Sequence, residues 1–144
     1  MRFYIATSFS NSQLMQETAE LLKARGWQHT LDWAQLEENK EQDKPGVAKT
    51  EINAVITADI VIVILVANKA QRGTHCEIGA ALATGKPILL FAEDSKHIEA
   101  DGYSCVFYKH PKCHVFIQKN LTATEIADWA LESIGCSLRR GLGS

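Results

Sequence analysis

Ile60-Val61-Ile62-Val63-Ile64-Leu65-Val66 is an unbroken apolar run, mostly β-branched, and its reading decides the fold class. A strand with one face in water alternates apolar and polar residues, whereas a strand covered by helices on both faces need not. The run is therefore expected to be the centre of a parallel sheet. Upstream, Pro45-Gly46 opens a helical segment in which Val47, Ile52, Val55 and Ile56 can face the core, and Asp59 marks the turn into the strand. Downstream, a helix rich in small residues runs from Thr74 to Thr84 and is closed by Gly85, before a second buried strand, Pro87-Ile88-Leu89-Leu90-Phe91. Strand and helix alternate at short spacing, which predicts right-handed crossovers between parallel strands.

Toward the amino terminus, Phe3-Tyr4-Ile5-Ala6 reads as a strand and Ser10-Asn11-Ser12-Gln13 as a helix start. Leu14, Thr18, Leu21, Leu22 and Arg25 follow at helical spacing, and Gly26 stops the helix where a left-handed residue is usually needed. Residues 27 to 31 predict a short strand, and the charged stretch from Asp32 to Lys44 a solvated loop or short helix. Toward the carboxyl terminus, Glu93 to Gly102 is a polar loop, and one or both of Cys105-Val106-Phe107-Tyr108 and Val115-Phe116-Ile117 are strands. Thr122-Ala123-Thr124-Glu125 is a capping box, opening a last helix with Ile126, Trp129, Ala130 and Ile134 on its inner face. One α/β domain over residues 1–138 is expected, with 139–144 a disordered tail.

The bulk properties narrow the function classes. With 144 residues and 46% hydrophobic content, the chain can bury a core without disulfides or a metal staple. Its 15 basic and 17 acidic residues nearly balance and form no long block, so neither a nucleic acid polymer nor a membrane surface is an expected partner. The apolar start is too brief for a signal peptide, no stretch is long enough to span a bilayer, and a cytoplasmic protein is expected. Cys76, Cys105, Cys113 and Cys136 form no CxxC pair and read as reduced thiols. His110, Cys113 and His114 fit no standard zinc spacing, so no metal site is expected.

An open α/β sheet binds ligands outside the carboxyl ends of its strands, where strand order reverses. The loops Thr7 to Ser12, Ala67 to Thr74 and Ala92 to Tyr103 are thus the ones to inspect. The first is rich in hydroxyls, with Thr7, Ser8, Ser10, Asn11 and Ser12 leading to a helix N-terminus that favours an anionic or hydroxylated group. The same residues are also good helix caps. The loop lacks the glycines of a Rossmann or Walker motif, and no nucleotide cofactor of those kinds is expected. In the second loop Gly73 permits a tight turn, and Gly79, Ala80, Ala81 and Ala83 let the helix approach the sheet or a ligand. Glu77, one turn in, has two readings: a functional carboxylate, or the second half of a Thr74-x-x-Glu77 capping box.

Gly73-Thr74-His75-Cys76-Glu77-Ile78-Gly79-Ala80-Ala81-Leu82-Ala83, followed by Gly85-Lys86-Pro87-Ile88, resembles the signature of the nucleoside 2-deoxyribosyltransferase family and its relatives that hydrolyse nucleoside 5′-monophosphates. The resemblance implies a flavodoxin-like sheet of about five strands in three layers and a dimer or larger homo-oligomer; no cofactor is expected. It also implies that Glu77 is the nucleophile and that Tyr4 matches a tyrosine hydrogen-bonded to it. Glu51 falls where the transferases carry an aspartate that handles the base. Six residues before the nucleophile the transferases have an aspartate for the sugar 5′-hydroxyl, and the monophosphate hydrolases a serine for the phosphate. Here that residue is Gln71, beside Arg72, so a hydroxyl and a phosphate both stay open.

Breaking a bond between sugar and base builds positive charge on the sugar, which a carboxylate stabilises or attacks. A covalent glycosyl-enzyme would then be resolved by another base or by water, giving transfer or hydrolysis of a small-molecule nucleoside or nucleotide. Glu51, His75 or a neighbouring subunit would help the base to leave. Glu77-Ile78 with Ala81-Leu82 one turn on also resembles the glutamate helix of TIR domains, some of which cleave NAD at its nicotinamide–ribose bond. A third reading, motivated by Gln71, is a nucleotide-binding sensor without turnover.

Overall fold

The structure is a computed structural model and describes residues 1–36, 43–65, 71–99 and 105–142, with side chains as far as 135. Five parallel strands, β1 (Arg2–Thr7), β2 (Gln28–His29), β3 (Ile60–Ile64), β4 (Ile88–Ala92) and β5 (Cys113–Ile117), form one sheet in the order β2-β1-β3-β4-β5. Four helices flank it: α1 (Ser12–Ala24), α2 (Lys44–Thr57), α3 (Arg72–Ala83) and α4 (Ala123–Leu142). α1 packs beside α4 and α2 beside α3, so the expected three-layer, flavodoxin-like α/β arrangement is the one observed.

All five residues of β3 and of β4 are buried, as are Phe3 to Thr7 of β1. That is the expected behaviour of strands covered on both faces. The helices close the core with Met15 and Leu22 from α1, Val55 from α2, Ile78 and Ala81 from α3, and Ile126 and Ala130 from α4. Gly26 and Gly85 take positive φ, +88° and +73°, where α1 and α3 must stop before strands. Asp59 is the anticipated turn residue: its carboxylate accepts from the Arg2 backbone N–H at 2.7 Å and from Arg2 Nη2 at 3.2 Å.

Several boundaries differ from the sequence reading, each for a local reason. α1 begins at Ser12 after a 3-10 turn over Phe9–Asn11, and Asn11 makes no side-chain cap bond. β2 is only two residues long. Of the two candidate last strands one forms, as expected: Cys113–Ile117 takes the place beside β4, and Val106–Lys109 is a 3-10 turn. Ile56 faces outward and Ala54 inward on α2, and Trp129 lies edge-on against Phe116, centroids 4.9 Å apart, rather than in the core. The capping box at Thr122 and Glu125 forms in both directions, at 3.3 and 3.2 Å. α4 then continues to Leu142, so backbone read as the start of a disordered tail is helical. Leu138, Arg139 and Arg140 are strong helix formers that carry it on. Val66, residues 37–42 of the charged loop, 66–70 of the second loop and 100–104 of the third lie outside the described residues.

Two glycines isolate backbone from packing. A Cβ at Gly26 or at Gly79 would meet nothing within 4 Å, yet only Gly26 has positive φ. Gly26→Ala should therefore lower stability by about 1 kcal/mol, whereas Gly79→Ala, inside α3, should raise it by about 0.5–1 kcal/mol. Urea unfolding midpoints check both, and a stabilised Gly26→Ala would contradict the left-handed turn.

Candidate active site

β1 and β3 are neighbours in the sheet, but their crossovers lead to opposite sides, one to β2 and the other to β4. A crevice must open at their carboxyl ends, the topological switch point. A cavity of about 230 Å³ lies there, lined by Tyr4, Thr7 and Ser8 from β1 and its loop, Glu51 from α2, and Gln71, Arg72, Gly73, Thr74 and Glu77 from the start of α3. Phe9 and Trp33 also line it. Its volume is below the 300–1,000 Å³ of drug-sized pockets and suits a small metabolite.

Glu77 is among the few buried charged or polar side chains, 9% exposed. Tyr4, 1% exposed, hydrogen-bonds it, the phenol donating to the carboxylate. The Tyr4 phenol is pushed far above its ordinary value by burial first, then by the Glu77 charge, the Glu77 hydrogen bond and the Glu51 charge. Tyr4 therefore stays a hydrogen-bond donor throughout the physiological range. Two carboxylates act on one phenol, and all three line one cavity.

The capping-box reading of Glu77 fails on the position of the helix start. α3 begins at Arg72 with Gln71 as its N-cap residue, so Thr74 is the third helical residue and Glu77 the sixth. A reciprocal box needs Thr74 at the N-cap itself. Gly73 is likewise not a turn glycine: it is the second residue of the helix, and a Cβ there would meet nothing within 4 Å. What it leaves is room in the cavity. Gly79 and Ala83 are exposed, and close packing of α3 falls to Ala81.

The hydroxyl loop divides. Thr7 Oγ1 donates to the Ile64 carbonyl at 2.7 Å, tying the end of β1 to the end of β3. Asn11, read as a binding residue, does not line the cavity: its Nδ2 donates to Thr7 Oγ1 at 3.4 Å and its side chain borders a different hollow beside Leu14, Leu65 and His97. Ser8 lines the cavity and shares a 2.8 Å hydrogen bond with Ser10. His75 also points elsewhere, with Nδ1 2.8 Å from the Gln71 carbonyl and Nε2 2.7 Å from the Tyr108 hydroxyl. It is not placed to protonate a leaving base.

Phe9, Trp33 and Thr74 were missed as lining residues. Trp33 Nε1 donates to the Ile5 carbonyl at 2.7 Å, and Asp32 caps the turn that carries it, accepting from Ala34 N at 3.1 Å. A lone tryptophan in a charged stretch was the available signal. Phe9 is 59% exposed, with its ring centroid 6.5 Å from that of Trp33.

A larger hollow, about 720 Å³, lies at the amino ends of β1 and β2, lined by Arg2, Lys23, Trp27 and His29 among others. It is at the wrong end of the sheet for a switch-point ligand, and its Arg2 is already paired with Asp59. Among the described residues no group of three or more His, Cys, Asp or Glu is gathered to hold a metal, and no helix is long and apolar enough to cross a membrane.

A profile described as nucleoside 2-deoxyribosyltransferase matches residues 3–135. The chain belongs to that family. It is an enzyme for cleavage or transfer of a glycosidic bond in small-molecule nucleosides or nucleotides. The structure of Clostridium botulinum CMP N-glycosidase, BcmB, superposes with a TM-score of 0.62 at 20% identity, covering 92% of this chain and 99% of that one. The 2-deoxyribosyltransferase of the psychrotolerant bacterium Bacillus psychrosaccharolyticus gives 0.59 at 18% identity, over 88% and 90%. A de novo designed Rossmann 2x3 protein gives 0.51 at 14% identity, over 93% and 88%. These likenesses establish the shared fold. No match was found among curated proteins.

The buried phenol predicts a pH dependence of stability. An unfolded tyrosine ionises near pH 10, whereas folded Tyr4 does not, so the unfolded state binds fewer protons above pH 10 and stability falls as pH rises. Tyr108, pushed up to about 12, and Cys113, pushed up to about 11, both by burial first, act in the same sense. Between pH 9 and 11 the urea midpoint of Tyr4→Phe should fall less than that of the wild type. Parallel falls would show that the phenol is not held protonated.

Proposed function

We propose that the protein cleaves the N-glycosidic bond of a nucleoside 5′-monophosphate, with Glu77 as nucleophile. The observation that carries this reading is the buried Tyr4–Glu77 pair in the switch-point cavity. A carboxylate that does not cap its helix, and that a buried phenol orients, is suited to attack carbon.

In the reaction, a Glu77 oxygen bonds to the anomeric carbon as the carbon–nitrogen bond breaks and its electron pair passes to the base. The base leaves after gaining a proton, and Glu51, the second carboxylate on the cavity wall, is the group proposed to deliver it or to bind the base. Water then attacks the glycosyl ester, passing a proton to Glu51, restoring the Glu77 carboxylate and releasing the sugar phosphate; a second base in place of water, losing its N–H proton in the same way, gives transfer. Tyr4 loses none of its protons in the cycle and fixes which carboxylate oxygen faces the sugar. Phe9 and Trp33 supply an aromatic wall suited to a planar base.

Arg72 supports the choice of a phosphate at the 5′ end. It is the first residue of α3 and lines the cavity, where the backbone N–H groups of a helix start also favour an anion. A cytoplasmic setting and a homo-oligomer are part of the same proposal.

Purified protein incubated with nucleoside monophosphates, free nucleosides and NAD, and assayed by chromatography for free base, should release base fastest from a monophosphate. Glu77→Gln should lose about 10³-fold or more, and Tyr4→Phe about 10–100-fold. Denaturing mass spectrometry should detect a glycosyl adduct on wild-type protein alone. Release from NAD only would favour the TIR-like reading, binding without release the sensor, and full activity of Glu77→Gln would end the assignment of the nucleophile.

A further inference from the structure

The Gln71 carbonyl, at the N-cap of α3, receives two hydrogen bonds from one residue. His75 N donates to it at 3.0 Å as the first helical bond, and the His75 ring lies with Nδ1 at 2.8 Å from the same oxygen. A carbonyl only accepts, so Nδ1 must carry a proton. In neutral His75 the other nitrogen, Nε2, is then an acceptor, and the Tyr108 hydroxyl 2.7 Å away donates to it. Tyr108 is 6% exposed, sits in the turn before β5, and stacks obliquely on the imidazole with centroids 5.8 Å apart. Neither side chain borders the cavity, yet the chain of donors ends on the residue that begins its Gln71-Arg72-Gly73 rim.

We infer that Tyr108 and His75 are positioning residues, a brace running Tyr108 O–H to His75 to the Gln71 carbonyl that sets the start of α3 for the 5′ group of the substrate. This rests on the proposed function, because the group positioned is the 5′-phosphate that Arg72 would meet. The brace spans two parts of the fold, the turn before edge strand β5 and the helix that follows central strand β3, so it fixes the rim against the sheet rather than against its own helix. A bond made within α3 alone could tighten one turn but could not orient it. It also explains why His75, two residues before the motif glutamate, lies outside the cavity.

Two readouts test the brace. The first needs no turnover: nitrogen-15 NMR of the wild type should show His75 as the Nδ1–H tautomer, and Tyr108→Phe should shift the amide signals of Arg72 and Gly73. An Nε2–H tautomer, or unmoved rim amides, would overturn the inference. The second is kinetic, on a nucleoside monophosphate and its parent nucleoside. Tyr108→Phe should raise KM for the monophosphate about fivefold with kcat within about twofold, and should alter KM for the nucleoside less. His75→Ala should be at least as impaired, and the double variant no worse than His75→Ala, since the two act in series. His75→Asn, whose amide can replace the Nδ1 donor, should recover part of the loss. Equal effects on the two substrates, or additive losses, would refute the brace. Wild-type protein inactive on both substrates would sink the proposed function instead, leaving the NMR result to decide the brace.

Discussion

The parallel pairing of β1 with β3 is the constraint on which the site depends. It is fixed at both ends by side chains: Asp59 before β3 binds the backbone and guanidinium of Arg2, and Thr7 at the end of β1 binds the Ile64 carbonyl. Between these clamps the register runs from Phe3 opposite Ile60 to Thr7 opposite Ile64. Side chains alternate faces along a strand, so a slip of one residue would send Tyr4 to the opposite layer and its neighbours Phe3 and Ile5 to the side of Glu77. The Tyr4 phenol would then no longer reach the carboxylate. Register and chemistry are therefore one problem, solved by pairing two strands that are far apart in sequence.

Seen this way, the small shift in the start of α3 has large consequences. With Thr74 as the N-cap, Glu77 would turn back toward its own backbone and Gly73 would lie outside the helix. Starting at Arg72 instead moves Glu77 to the second turn, and puts Arg72 and Gly73 at the helix end that faces the cavity. A local motif and a tertiary partner compete for the same carboxylate. Tyr4 prevails because it is buried in the central sheet, where an unpaired phenol is costly.

What was legible in the sequence follows the range of the interactions concerned. The buried run at Ile60, the stops at Gly26 and Gly85 and the box at Thr122 and Glu125 depend on near neighbours, and they read correctly. So did the class of fold, since helices must cover both faces of such strands. Trp129 and Ile56 did not, because each depends on what packs beside it: Phe116 under Trp129, and Ala54 in the inward place on α2. Which of the two candidate last strands would form was left open for the same reason, and the place beside β4 goes to Cys113–Ile117. Within the site, the residues on the motif and on β1 could be named from the chain. Trp33 could not, because its place depends on a hydrogen bond to Ile5 across 28 residues.

The same range argument explains the division of the cavity wall. Its polar side comes from β1, the start of α3 and Glu51 of α2, with β1 tied to β3 by the two clamps. Its aromatic side, Phe9 and Trp33, comes from short 3-10 turns on the loops after β1 and β2. Trp33 is anchored to the sheet by Ile5, but Phe9 is more than half exposed and rests chiefly on Trp33. Bond breaking demands fixed geometry, because misplacement of a nucleophile by even an ångström is expensive; recognition of a planar base demands area and tolerates adjustment. A cavity that takes its polar groups from β1 and the first turns of α3, and its aromatic wall from loops, can keep the first while the second varies.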